Sequence, residues 1–145
     1  VGDALLQEAV AAIVARHAAR EGPLLPILQE VQAELGHVPD EAIRLVADAL
    51  NLTRAEVHGV VSFYHDLRPR PAPLPVLKIC RAEACQARGV EALMPAADAA
   101  AHGRVMLETV YCLGLCAVGP AAMRGGEVHA RLDARALHEL IETTA

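Results

Sequence analysis

The chain has 145 residues, with 18 Asp and Glu against 13 Lys and Arg, so its formal net charge is −5. That balance argues against a broad nucleic-acid footprint, and a mean hydropathy of +0.30 argues against disorder. The length suits one domain or two small ones. Only 2% of residues are aromatic, so the core must be aliphatic and its alanine-rich helices closely packed. The uncharged stretch 109–123 is interrupted by Gly114, Gly119 and Pro120 and is too short to cross a bilayer. No direct membrane insertion is expected. The chain begins at Val1, without the basic, apolar, small-residue order of a signal peptide. The expected compartment is therefore cytoplasmic, where four cysteines point to metal or redox chemistry rather than a disulfide framework.

Residues 1–68 read as wholly helical. Leu6, Val10, Ile13, Val14 and His17 keep helical spacing and predict a first helix over 3–20. Gly22 and Pro23 end it and open the next. Leu24, Leu28, Val31 and Leu35 share one face of a second helix, with Gly36 placed to close it. Ile43, Val46, Ala47 and Leu50 mark a third. Thr53 and Glu56 have capping-box spacing and open a fourth helix through Val57, Val60 and Val61. A small antiparallel helical bundle is expected.

Residues 69–75 hold four prolines in seven positions, which forbids a helix and favours a stiff, extended connection. We read this stretch as a linker between a helical domain, 1–68, and a second domain, 76–145. In the second domain, 76–79 is a strand candidate, 90–101 an alanine-rich helix, and 105–110 a strand again. Gly125 and Gly126 lie between 121–124 and 128–131 as a hairpin signature. Asp133 can cap a last helix with Ala136, Leu137, Leu140 and Ile141 on one face. The order β-α-β-β-α makes the class α/β and places a thioredoxin-like sheet first among the choices.

The chemistry lies in four cysteines. Cys80 and Cys85 enclose four residues; Cys112 follows 27 positions after Cys85, and Cys112 and Cys116 enclose three. Two thiol pairs can offer four thiolates to one inorganic centre. Zinc is compatible with such spacings. A binuclear iron–sulfur core suits two wider ligand loops, one per iron, and a four-residue gap recurs in [2Fe–2S] ligation. Ala82, Ala84, Gly114 and Ala117 are small and would let backbone N–H groups approach the sulfurs. Thiol redox enzymology is the third reading, weakened by the lack of a C-x-x-C motif.

The segments Cys80-Arg81-Ala82-Glu83-Ala84-Cys85 and Tyr111-Cys112-Leu113-Gly114-Leu115-Cys116-Ala117-Val118-Gly119-Pro120 resemble the thioredoxin-like [2Fe–2S] subunit of the NADH dehydrogenase 24-kDa family. The stretch from Leu24 to Pro39 and the run from Val57 to Tyr64 are similar to that family's helical segment. Within it, CRAEACQ and VVSFYHDLR look most like the gamma subunit of soluble NAD-dependent formate dehydrogenases. Two local features depart from the family pattern: Met123-Arg124-Gly125 stands where an Asn is usual, and the interval between the cysteine pairs is short.

The resemblance implies an N-terminal helical bundle followed by a thioredoxin-like [2Fe–2S] ferredoxin domain. It implies one [2Fe–2S] cluster, with Cys80 and Cys85 on one iron and Cys112 and Cys116 on the other. FMN and NAD are expected on a larger partner subunit, and a still larger formate dehydrogenase-type subunit is expected to hold the substrate site. The equivalent subunit of NADH-quinone oxidoreductase or NAD-reducing hydrogenase is the alternative. A zinc-stabilised interaction module is the alternative of a different class. The residues agree with an accessory carrier, non-catalytic by itself: no dinucleotide G-x-G-x-x-G follows a strand, and no P-loop is present.

Other polar residues carry weaker signals. His17 lies on an apolar helix face and reads as a core or boundary histidine rather than a ligand. His58 and His65 read as surface or interface residues. Glu8, Asp40, Glu41 and Asp48 read as solvated faces or caps. Ser62 lacks a nucleophile-elbow context. Phe63 and Tyr64 read as core packing between the halves or, in a sharper reading, as an anchor for a partner.

Overall fold

The structure is a computed structural model and describes residues 3–145. The chain divides into two compact units, the boundary falling between Ala72 and Pro73 inside the proline-rich stretch.

The first unit holds four helices: α1 (Asp3–His17), α2 (Leu24–Leu35), α3 (Asp40–Leu50) and α4 (Arg54–Phe63). Helix α1 stops three residues before the predicted end, because the chain turns through 18–22 with Gly22 at φ 63° to enter α2. Gly36 closes α2 in the left-handed region at φ 77°, its N–H donating to the Gln32 carbonyl. Thr53 and Glu56 form the complete capping box at the start of α4. The core is aliphatic: Ile13, Ile27, Leu28, Val31, Val46 and Val57 are fully or almost fully buried. Gln32 joins α2 to the segment after α4, donating to the Asp66 carbonyl and accepting from the Arg68 N–H, both at 2.5 Å.

Phe63 and Tyr64 are not core residues. Val57 and Val61 take the inward face of α4, one turn apart, which leaves Phe63 74% exposed, its ring edge-on to Tyr64. His17 is a boundary residue, as its position suggests. Its Nε2 pairs with Glu30, while its buried Nδ1 has no partner among the described residues. Arg16 donates to Glu30 and to Glu34, so two neighbouring side chains of α1 converge on Glu30 of α2.

The second unit is a four-stranded sheet in the order β2-β1-β3-β4 with helices packed on it. Its elements are β1 (Val76–Cys80), α5 (Glu83–Ala87), α6 (Val90–Ala101), β2 (Met106–Val110), β3 (Ala122–Arg124), β4 (Glu127–His129) and α7 (Ala134–Thr144). Strands β1 and β2 are parallel, Cys80 opposite Val110, and the crossover between them carries α5 and α6. Strand β3 returns antiparallel to β1, and Gly125-Gly126 turns it into β4. Leu77 and Ile79 point into the core with alternation broken only at Cys80, which is also buried. Asp133 caps α7 through the Ala136 N–H at 2.8 Å. Helices α6 and α7 pack against each other, α7 also touching β1 and α6 touching β2. The short cysteine interval is thus accommodated by a compact helix–strand crossover.

No described helix is long and apolar enough to cross a membrane.

Candidate metal centre

Strand polarity assembles the site. Because β1 and β2 run parallel and in register, both deliver their carboxyl ends to the same edge, where open α/β sheets habitually bind ligands. Cys80 is the last residue of β1, and Cys112 lies two residues beyond the end of β2. The ladder continues past both strands, with the Arg81 N–H donating to the Val110 carbonyl at 2.9 Å. The Cys112 N–H then donates to Cys80 Sγ at 3.3 Å.

Helix α5 supplies Cys85. This one-turn helix begins inside the four-residue gap of the first cysteine pair and carries Cys85 itself; it has no signature in the sequence, since five residues are too few to show a period. It folds Cys85 back beside Cys80, where the two thiols are within hydrogen-bonding reach of each other. The loop after Cys112 supplies Cys116. Cys112 itself adopts φ 76°, a left-handed conformation uncommon outside glycine, and Gly114 follows at the same angle. This doubled turn brings Cys116, at the start of a short 3-10 turn over Cys116–Val118, to 3.5 Å between its Sγ and that of Cys112. The Gly114 N–H donates to Cys112 Sγ at 3.4 Å.

The four predicted cysteines are therefore brought to one place, as two pairs of contrasting exposure. Cys80 and Cys85 are each 2% exposed, whereas Cys112 and Cys116 face solvent. Their electrostatics follow from that arrangement. Burial pushes the Cys80 thiol up, but N–H donors from Ala82, Cys112 and Leu113, together with the Cys85 thiol, outweigh it and hold its pKa below that of a free thiol. Burial pushes Cys85 up, and its bond to Cys80 pushes in the same direction. The bond with Cys112 raises Cys116. In the buried pair the thiolate is favoured on Cys80 while Cys85 keeps its proton, the behaviour of like groups crowded together.

Such sulfur-rich crowding calls for a cation. Among the described residues, no three His, Cys, Asp or Glu groups are gathered as a site for a single metal ion. The donors come instead as two pairs of soft ligands with N–H groups aimed at their sulfurs, a set suited to a binuclear iron–sulfur centre. Space is reserved beside the sulfur as well. A Cβ placed on Gly119 would stand 3.0 Å from Cys85 Sγ. Nothing in the sequence marks Gly119 for this role; its only signal is its place in a Cys-Ala-Val-Gly-Pro run, which says nothing of what it faces.

Over residues 10–145 the sequence matches the thioredoxin-like [2Fe–2S] ferredoxins. The chain belongs to that family. Its relatives include an NADH-quinone oxidoreductase subunit of Rhizobium meliloti (strain 1021), 30% identical over 95% of this chain and 88% of the relative. The corresponding NADH-quinone oxidoreductase subunit of Escherichia coli (strain K12) is 32% identical over 79% of this chain and 75% of its own length. The HndA subunit of the NADP-reducing hydrogenase of Solidesulfovibrio fructosivorans is 31% identical over 76% of this chain and 70% of its own. In three dimensions the chain is similar to part of an NAD+-reducing [NiFe]-hydrogenase in the H2-reduced state, with TM-score 0.69 and 26% identity. That match covers 83% of this chain and 22% of the hydrogenase chain. The ferredoxin assignment agrees with the fold expected from the sequence: helices first, then a thioredoxin-like sheet.

Proposed function

We propose that Cys80, Cys85, Cys112 and Cys116 hold one [2Fe–2S] cluster, the first two on one iron and the last two on the other. The observation that carries this reading is the convergence of two thiol pairs at the carboxyl ends of β1 and β2, with Cys112 N–H bonded to Cys80 Sγ. When bound, the cluster supplies one-electron storage at a potential set by its surroundings. The chain's own residues do the rest. Ala82, Cys112 and Leu113 direct N–H groups at Cys80, Gly114 directs one at Cys112, and the core around Cys85 excludes water from one side.

The chain serves, in this reading, as the electron-transfer subunit of an NAD-linked oxidoreductase complex, beside a larger subunit that binds flavin and NAD. Relatives in NADH-quinone oxidoreductase and in NADP-reducing hydrogenase support that placement. The finer reading is the gamma subunit of an NAD-dependent formate dehydrogenase, with a third, larger subunit holding the formate site. It rests on the local likeness of CRAEACQ and VVSFYHDLR. Residues 1–68 and 76–145 act as separate domains, the first docking the chain to its flavoprotein and the second presenting the cluster.

Iron, zinc and acid-labile sulfide counted on the anaerobically purified chain test the site. Two irons and two sulfides are expected, with a paramagnetic signal only after reduction; stoichiometric zinc without sulfide rejects it. Adding NADH or formate to the loaded chain alone should leave its visible absorption unchanged. NADH together with the flavin subunit should bleach it. Co-purification with a formate-oxidising rather than a hydrogen- or quinone-linked subunit decides the finer assignment.

A further inference from the structure

We propose that Arg88 is a positioning residue whose fixed positive charge, anchored on the Cys116 backbone beside Cys85, raises the reduction potential of the centre held by the four cysteines. The proposal rests on the ligand reading above. Arg88 follows α5, three residues after Cys85, and its Nε donates to the Cys116 carbonyl at 3.2 Å. One side chain thus links the segments carrying one cysteine of each pair. Its path runs close to the sulfur. The point that a Cβ on Gly119 would occupy lies 3.5 Å from Arg88 Cδ and 3.0 Å from Cys85 Sγ. The lack of a side chain at Gly119 is what lets arginine and thiol share that space.

The neighbouring Arg81 makes a useful contrast. Its guanidinium is neutralised by a two-pronged bond to Glu91 at 2.8 and 2.6 Å. Arg88 has no carboxylate partner among the described residues, and its bond goes to a neutral carbonyl. Four thiolates give the centre a negative charge that grows by one on reduction, so an uncompensated cation nearby favours the reduced form. Arginine is suited to the task because it stays protonated at any working pH and its planar fork holds direction.

The test compares the full-length chain with Arg88→Gln and Arg88→Lys, loaded with iron and sulfide and titrated with dithionite while visible absorption is followed. The unaltered chain must first show two irons and two sulfides; its failure would reject the ligand reading and not the role of Arg88. Arg88→Gln should load normally and disfavour the reduced form by about tenfold, which is about 59 mV for one electron. Arg88→Lys should recover at least half of that change. A loaded Gln variant at the original potential overturns the proposal, as does a Lys variant shifted as far as the Gln variant. Should the Gln variant fail to load, the Lys variant decides. Full loading near the original potential upholds the charge role, and failure to load overturns it.

Discussion

The backbone N–H of Cys112 donates to the sulfur of Cys80 across 3.3 Å, joining residues 32 positions apart in the chain. Each belongs to a different thiol pair, so this bond docks one pair on the other before any metal is considered. It uses the main chain of Cys112, leaving the Cys112 side chain free to face Cys116. Replacing Cys112 by Ser should therefore preserve the docking and remove only a proposed ligand. The expected outcome is a chain with unchanged far-ultraviolet circular dichroism that retains less than half the iron, since a hydroxyl is a poor substitute for thiolate on iron. Iron and sulfide retained in full by Cys112→Ser would remove Cys112 from the ligand set.

Gly119 offers a test of space rather than chemistry. Its φ of −65° suits any residue, so an alanine there meets no backbone strain. The added methyl would instead stand 3.0 Å from Cys85 Sγ, with Arg88 Cδ at 3.5 Å and Cys85 Cα at 3.8 Å. Gly119→Ala should cost about 1–3 kcal/mol through overpacking and shift the visible spectrum of the loaded chain. Thermal unfolding and absorption spectra measure the two effects. A variant of unchanged stability and spectrum would show that the sulfur has room to move.

Glu30 gives the helical unit an acid-sensitive clasp. Its bond from His17, then that from Arg16, holds the carboxyl below its ordinary value of 4.5. A carboxyl depressed in the folded state adds stability that is fully present above its unfolded pKa and is lost as pH falls through the folded one. The clasp should thus hold at neutral pH and weaken only below about pH 4.5. Glu30→Gln should lower stability at pH 7 and flatten the acid limb of a stability-against-pH curve measured by urea unfolding. Parallel curves for the two proteins would show that Glu30 contributes no such linkage.

The proposed separation of the domains can be read in the intact chain. Leu28 is fully buried among the helices of the first unit, and Leu28→Ala should cost that unit about 2–5 kcal/mol. If the halves unfold separately, calorimetry should show an earlier transition moving down by roughly 10 °C or more while a later one stays in place. The loaded chain should keep its visible spectrum through the first transition. A single transition that moves as a whole would show that the halves unfold together.

Much of this architecture is local and was therefore legible along the chain. The capping box of Thr53 and Glu56, the αL cap at Gly36, the Gly125-Gly126 turn and the Asp133 cap each depend on residues within four positions of one another. The aliphatic periodicity of the helices and the proline-rich break at 69–75 are equally short-range, and the paired cysteines announced an inorganic centre by number and spacing. What only tertiary structure decided has the opposite character. The pairing of Cys80 with Val110, the reserved space at Gly119 and the reach of Arg88 to the Cys116 carbonyl all depend on segments distant in sequence. Residue spacing announces which thiols exist. Which sulfur is buried, which N–H groups face it and which cation stands beside it depend on the parallel register of β1 and β2, a contact whose partners share no local pattern.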